Sequence, residues 1–520
     1  MVITKTKLRT ASLRSNWSGI ERLLTTQAQV QLTEDSKSCK LRSFNELPGP
    51  TYFEMLSSFV PGGSLHGKSI VDYAQEMRKK YGDIFLIPGL FGRPNLLQTF
   101  ATEDFETIFR NEGQWPIKES LDSVHHFRTR VKKDFFGDIP GLMVQQGESW
   151  TKLRTTVNPV LMKPNTMKQY LKPLLGVNRD FIKRIAELRD AETLEVPDSF
   201  DEELNRMAFE SIAVVAINKE LGLVRKNRDN PEAVRFLQNA RKFFILVYKL
   251  DVEPSLWRIM PTPTYYESVR VQTEIFETTK KYVTEALQEL EQKQLDGVEV
   301  EKFSVLEKLI SINRKMAIVM AMDILLGGVD GTSATLVAIL IALSKHPEKQ
   351  QKLREEILKI LPHKDSDLTE ENMKNMPYLR AVIKESMRYY PNGPGSFRTS
   401  TTDLPLSGYH IPAGTKMLLN YNMLTKEEQF YPQSQEFIPE RWLRGSNIKQ
   451  VNPFTFMPFG FGARMCIGKR IVDLEVEMIV ATVIRNYYVE YNYPVDNPFR
   501  TYFVVVPNIP LTFKFKDVEY

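Results

Sequence analysis

Cysteine is almost absent from this chain: Cys39 and Cys466 are the only two in 520 residues. No CxxC occurs and at most one pairing is possible, which excludes a disulfide framework. A reducing compartment, such as cytosol, nucleus or mitochondrial matrix, fits. Histidine is scarce, six in all, and without an HExxH a zinc protease has no footing. Neither sign of charge dominates. Lys+Arg number 69 against 64 Asp+Glu, and residues 1–40 hold seven basic residues against three acids. The remainder is close to neutral, too little for bulk attraction to nucleic acid, so no nucleic-acid partner is expected. There is no internal repeat and no Gly/Ser linker. The length alone would predict about three domains, but nothing separates them.

What is present is an ordinary globular composition: 42% hydrophobic and 26% charged residues exclude global disorder. The first twenty residues carry four basic residues, several Ser and Thr, and no acid. That is the profile of a mitochondrial transit peptide, and the missing apolar run argues against a secretory signal or membrane anchor. We assign 1–44 as transit peptide and leader, and 45–520 as a single domain that starts after the rigid 47-LPGP-50. The most apolar long segment, 316–343, contains Asp323 and Asp330 with Gly327, Gly328 and Gly331 in its middle. Acids are costly at a bilayer centre, so a buried central helix is the expectation.

Helical periodicity runs over 68–81, 148–162, 201–217, 231–249, 265–293, 316–345, 346–360, 377–389 and 467–486. Strand patterning occurs at 84–87, 94–99, 395–399, 408–418 and 501–515. The fold class is mostly α, an α+β body with small sheets attached.

The chemistry concentrates in 453-PFTFMPFGFGARMCIGKRIVDLEVEMIVATVIRNYY-488. Strand-like residues, Gly460, Gly462 and Gly468, then a long amphipathic helix mimic a nucleotide-binding unit. Met465 stands where the third glycine of G-x-G-x-x-G belongs, which speaks against dinucleotide binding. Cys466 sits just before the helix. The positive end of the helix and Arg464 would both favour its thiolate, making it a metal ligand or a nucleophile.

Phe459-x-x-Gly462-x-Arg464-x-Cys466-x-Gly468 resembles the haem-binding loop of the cytochrome P450 family at every fixed position. Glu385-Ser-Met-Arg388 resembles its E-x-x-R pair. Pro439-Glu440-Arg441-Trp442 resembles its P-E-R-W/F segment, and Trp150-x-x-x-Arg154 its W-x-x-x-R. The resemblance spans most of 45–520 and implies a large helical body with small sheets around a buried haem b, with the Cys466 thiolate as axial ligand. It further implies a buried Glu385–Arg388–Arg441 cluster bracing the cysteine loop. Trp150, Arg154, Arg398 and Arg464 are expected at the propionates.

A thiolate ligand favours O–O cleavage, so the implied activity is a monooxygenase that uses O2 on a hydrophobic substrate. The family's acid–alcohol pair on the central helix is matched at Asp330, but Gly331 replaces the threonine. Thr332 lies one residue on, rotated by about 100° in an ideal helix. Either unwinding brings Thr332 or Ser333 round, or a water or substrate hydroxyl serves.

Arg380 and Lys384, four apart on one face, resemble the mitochondrial branch, whose basic pair docks an adrenodoxin-type ferredoxin supplied by an NADPH-dependent reductase. Lys469 and Arg470 could extend that face. Residues 236–263 correspond to the lid and membrane-touching segment, implying peripheral contact on the matrix side of the inner mitochondrial membrane. Residues 121–146, 323–332, 393–398 and 502–506 are expected to line an apolar pocket. The insect mitochondrial branch is the best match, with detoxification of foreign compounds preferred over ecdysteroid or other steroid-hormone hydroxylation. A haem-thiolate isomerase or lyase, and a haem protein that binds ligands without turnover, are the rivals.

Overall fold

The apolar stretch at the middle of the chain forms two helices in line, Arg314–Gly327 and Asp330–Lys345, in a computed structural model that describes residues 41–119, 121–225, 230–296, 304–364, 366, 368–448 and 452–519. Asn313 caps the first, its side chain accepting from Met316 N at 2.9 Å. The second is buried along most of its length. The break falls at Gly328 and Val329. A Cβ on Gly328 would lie 2.5 Å from Ile212 Cγ1 of the crossing helix Phe200–Ile217, so only glycine allows so close a crossing. An apolar window this long passes a length test for a membrane span, yet 83% of it is buried inside the protein. It is the core helix that the two internal acids predicted.

Residues Ser43–Tyr520 form one compact unit. Helices Leu171–Leu188, Phe200–Ile217, Pro377–Tyr389 and Lys469–Asn486 contribute to one large apolar cluster around the central pair. A smaller cluster, with Phe85, Leu97, Phe100, Phe105 and Met417, fills the space around a four-stranded sheet. That sheet runs Ile84–Ile87, Leu96–Thr99, Lys416–Leu419, Ser396–Thr399. Only its middle pair is parallel, with Leu97 opposite Met417. Three two-stranded sheets complete the β structure of the described residues.

All nine stretches with helical periodicity are helical; only the central one is interrupted. The strand stretch 408–418 divides into Tyr409–Ile411 and Lys416–Leu419, in different sheets. The stretch 501–515 likewise divides. Phe499–Thr501 pairs with Val505–Pro507, and Lys514–Asp517 pairs with Tyr487–Glu490. The leader assigned to 1–44 lies outside the described residues up to position 40, and Cys39 with it.

Candidate active site

The cysteine loop is shaped by two glycines before its helix begins. Gly460 and Gly462 have φ of 75° and 69°, left-handed values that strain any side chain. They fold the loop back so that Cys466 N donates to Phe459 O at 2.8 Å. The Cys466 sulfur then meets the backbone N–H groups of Gly468 and Lys469, where the helix Lys469–Asn486 starts. A Cβ on Gly468 would sit 3.7 Å from Sγ.

The thiol opens onto a cavity of about 410 Å³. It is accessible from that side and enclosed by protein elsewhere, and burial pushes the Cys466 thiol up from its ordinary value. The Gly468 N–H, Lys118, Arg154 and the Lys469 N–H oppose that shift without overcoming it. The helix end, with Lys118 and Arg154, favours the thiolate, and burial opposes it.

Three cations line the cavity: Lys118, Arg154 and Arg464. Trp150, one turn before Arg154 on the helix Gly147–Leu161, lies beside both arginines. Arg464 Nε donates to Pro116 O at 2.9 Å and Nη2 to Gln146 Oε1 at 2.6 Å. Arg154 Nη2 donates to Met465 O at 2.9 Å, while its buried Nε has no partner. Burial, then Arg398 and Arg464, pull the Lys118 ammonium down to about 8. Burial, then Arg398, pull Arg464 down to about 9. The carboxylate acting on this group is Glu112, and Arg398 already holds it in an ion pair. Clustered buried cations with so little counter-charge are a receptor for anionic groups, and a thiol facing them is a soft metal ligand.

The cytochrome P450 family profile matches residues 47–515. The chain belongs to the cytochrome P450 family. It is 49% identical over 496 residues to the probable mitochondrial cytochrome P450 12d1 proximal of Drosophila melanogaster, covering 95% of this chain and 94% of that one. It is 47% identical to the probable mitochondrial cytochrome P450 12c1 of the same fly, over 92% and 93% of the two chains. Cytochrome P450 CYP12A2 of Musca domestica is 42% identical, over 97% and 96%. The P450 family uses haem with cysteine thiolate ligation. The residues present fit that group: a thiol for the iron, and Lys118, Arg154 and Arg464 for two propionates.

The Glu385 cluster assembles as expected. Both oxygens of Glu385 are bound: Arg388 donates at 2.7 and 2.9 Å, Trp442 Nε1 at 2.8 Å, Ile438 N at 2.9 Å and Arg441 Nε at 3.1 Å. Arg388 also donates to the carbonyls of Thr425, Ser434 and Glu436.

The other expected site residues are held by protein partners of their own. Arg398 does not line the cavity; it is spent on Glu112, Ser396 and the carbonyls of Phe397 and Phe461. Thr332 does not turn into the cavity either. It is buried and donates to Gly328 O at 3.0 Å, and Ser333 donates to Asn205 Oδ1 at 2.7 Å. Asp330 is buried at the start of its helix, and desolvation raises its carboxyl to about 6. Arg380 is not a free docking cation: it donates to Met373 O and Lys374 O and lies 3.7 Å from Glu477, whereas Lys384 is exposed. Within 236–263, Phe243, Phe244, Tyr248 and Trp257 are buried; the exposed large apolar residues there include Leu256, Ile259 and Met260.

Each of the four segments expected to line the cavity contributes, through Leu121, Met143, Ile324, Phe397 and Phe503 among others. Lys118, Glu112 and Asn392 went unseen in the sequence, because none stands at a fixed offset from a recognisable motif.

Proposed function

We propose that this chain is a haem-thiolate monooxygenase of mitochondria, in which Cys466 would ligate the haem iron, acting on hydrophobic foreign compounds. The observation that carries the reading is the meeting of the Cys466 thiol with the buried Arg154 and Arg464 and the half-buried Lys118 at one mostly apolar cavity. When bound there, haem supplies the activation of O2. The net change is one oxygen atom into a C–H bond and the other into water, at the cost of two electrons and two protons. Arg154, Arg464 and Lys118 would hold the propionates; Trp150 keeps the two guanidiniums in place. Asp330, uncharged or charged near neutrality because its carboxyl sits at about 6, is suited to passing a proton.

The electron donor in this reading is an adrenodoxin-type ferredoxin reduced by its NADPH-dependent reductase. The exposed Lys384, and the exposed Arg470 on the helix after Cys466, support an acidic partner. Mitochondrial location draws on the printed names of the Drosophila relatives and on the basic leader. The exposed Leu256, Ile259 and Met260 support peripheral contact with the inner membrane from the matrix side.

The deciding experiment is the spectrum of the reduced protein with carbon monoxide, followed by NADPH consumption with ferredoxin and reductase. A strongly red-shifted Soret band that Cys466→Ser abolishes supports the ligand. NADPH use with oxygenated product supports the activity. Rearranged product without NADPH use would point to an isomerase or lyase, and a ligand-induced spin shift without product to a binding protein. A screen of foreign lipophiles against steroid hormones separates detoxification from hormone hydroxylation.

A further inference from the structure

A carboxylate is fixed beside the cations that face the cavity. Glu112 follows the helix Thr102–Arg110. Its side chain is 11% exposed, against 2% for Arg398, its ion-pair partner. Glu112 Oε1 accepts from Arg398 Nε. Glu112 Oε2 lies 3.4 Å from where a Gly462 Cβ would stand, so the carboxylate rests against the cysteine loop. The other end of the pair is held as firmly. Arg398 Nη1 donates to Ser396 Oγ at 2.7 Å and Phe397 O at 2.8 Å, and Nη2 to Phe461 O at 3.2 Å. Its guanidinium carbon stands 5.1 Å from the Phe109 ring centroid, and Phe109 packs against Phe461 at 5.0 Å. These contacts keep the pair in one arrangement.

The pair lies outside the cavity wall but within electrostatic reach of it. Lys118 and Arg464, which line the cavity, both feel the charge of Arg398 and the opposite charge of Glu112. Arg154 is the third cation on that wall. With Glu112 ionised, Arg398 is cancelled and three cations act on the cavity. Without it, a fourth positive charge would act where little water is left to screen it. An electron entering the site adds a negative charge. Fixed cations nearby favour its entry and fixed anions oppose it, and burial strengthens both effects.

We propose that Glu112 is a positioning residue that sets the reduction potential of the haem site. It holds Arg398 and keeps the potential below the value that the four neighbouring cations alone would give. This rests on the reading of the cavity as the haem site. The step affected is the transfer of one electron from reduced ferredoxin to ferric iron, with no bond made or broken. Glu112 acts on it by charge and not by contact.

The test uses purified, haem-loaded protein without substrate, titrated with dithionite against a dye of known potential. Glu112→Gln should move the ferric–ferrous equilibrium at least about threefold towards ferrous. Arg398→Gln leaves the carboxylate unopposed and should move it at least about threefold towards ferric. The double variant loses no net charge, so it should return to within about twofold of the parent. Simple damage to the site would shift all three variants one way, whereas charge gives opposite signs that cancel. Should Glu112→Gln fail to take up haem, the step from Arg398→Gln to the double variant removes the same carboxylate and carries the same expectation. An equilibrium unmoved or shifted towards ferric by loss of Glu112, or a double variant displaced as far as Glu112→Gln, would overturn the proposal. A protein with the thiolate carbon monoxide band but no such shift loses this inference alone; a protein without the band loses the functional reading.

Discussion

Arg464 lies over the indole of Trp150 with its guanidinium carbon 3.6 Å from the ring centroid, and Arg154 approaches the same ring at 5.8 Å. Two like charges share one aromatic plate because the face of the ring attracts cations. Trp150 therefore sets where both guanidiniums can meet an anion. Trp150→Ala should lower haem retention, measured as the haem-to-protein ratio after purification and as the rate of haem loss to a competing acceptor. Trp150→Phe should recover part of it. Unchanged retention in Trp150→Ala would remove the indole from this role.

Glu385 satisfies Arg388 and Arg441 at once, so Glu385→Gln strands two buried guanidiniums. Breaking a buried pair costs about 3–5 kcal/mol, enough to remove much of the stability of an ordinary domain. The expected outcome is loss of soluble protein or a markedly lower urea midpoint. A midpoint unchanged from the parent would show that the cluster braces nothing.

Glu475 is 2% exposed on the helix after the cysteine, its Oε1 has no partner, and burial raises its carboxyl to about 8. The folded value lies above the ordinary 4.5. The native state thus keeps a proton that the unfolded chain releases. The stability from this group is full below about 4.5, falls as pH rises and stops falling above about 8. The slope is at most about 1.4 kcal/mol per pH unit. Glu475→Gln should raise the urea midpoint at pH 8 and leave it near the parent's at pH 4.5. Part of the slope should persist, because Glu477 at about 7 and Asp251 at about 6 are raised in the same direction. A midpoint at pH 8 equal to or below the parent's would exclude the buried acid.

On the proposed ferredoxin surface, Lys384 is exposed whereas Arg380 is tied to two carbonyls. Lys384→Glu should raise the KM for an acidic ferredoxin about tenfold, flatten the salt dependence of the rate and leave kcat nearly unchanged. Arg380→Gln releases the carbonyls of Met373 and Lys374, so it should lower stability as well as affinity. Equal behaviour of the two variants, both confined to KM, would contradict that division.

The long periodic helices and the cysteine loop could be read from residue order because their signals are local. The helix Leu171–Leu188 could not: Pro173 and Gly176 sit inside it and look like breakers. Pro173 occupies the first turn, where a missing N–H costs nothing. The break in the central helix was signalled by three glycines, but the turn of Thr332 was not. Its hydroxyl competes between cavity and carbonyl, and the carbonyl of Gly328 is nearer. The pairing of Arg398 was hidden for a similar reason: its partner, Glu112, lies 286 residues away in the chain, a distance no spacing rule covers. Lys118 and Glu112 acquire their roles only when separate loops meet beside the cavity.

The segment 236–263 is anchored at its centre. Asp251 accepts from Ser123 N at 3.0 Å, Ser123 Oγ at 2.6 Å and Arg258 Nη2 at 3.2 Å. Arg258 also reaches Asp122 at 2.7 Å, and Arg93 Nη1 donates to Val252 O at 2.6 Å. One carboxylate thus ties the segment at 122–123 to Arg258 of the segment 236–263, so a ligand path that needs these two parted has to break the same group of bonds each time. Compounds whose C–H bonds differ widely in strength would then leave at a common pace, and their turnover numbers would converge on one ceiling set by the protein.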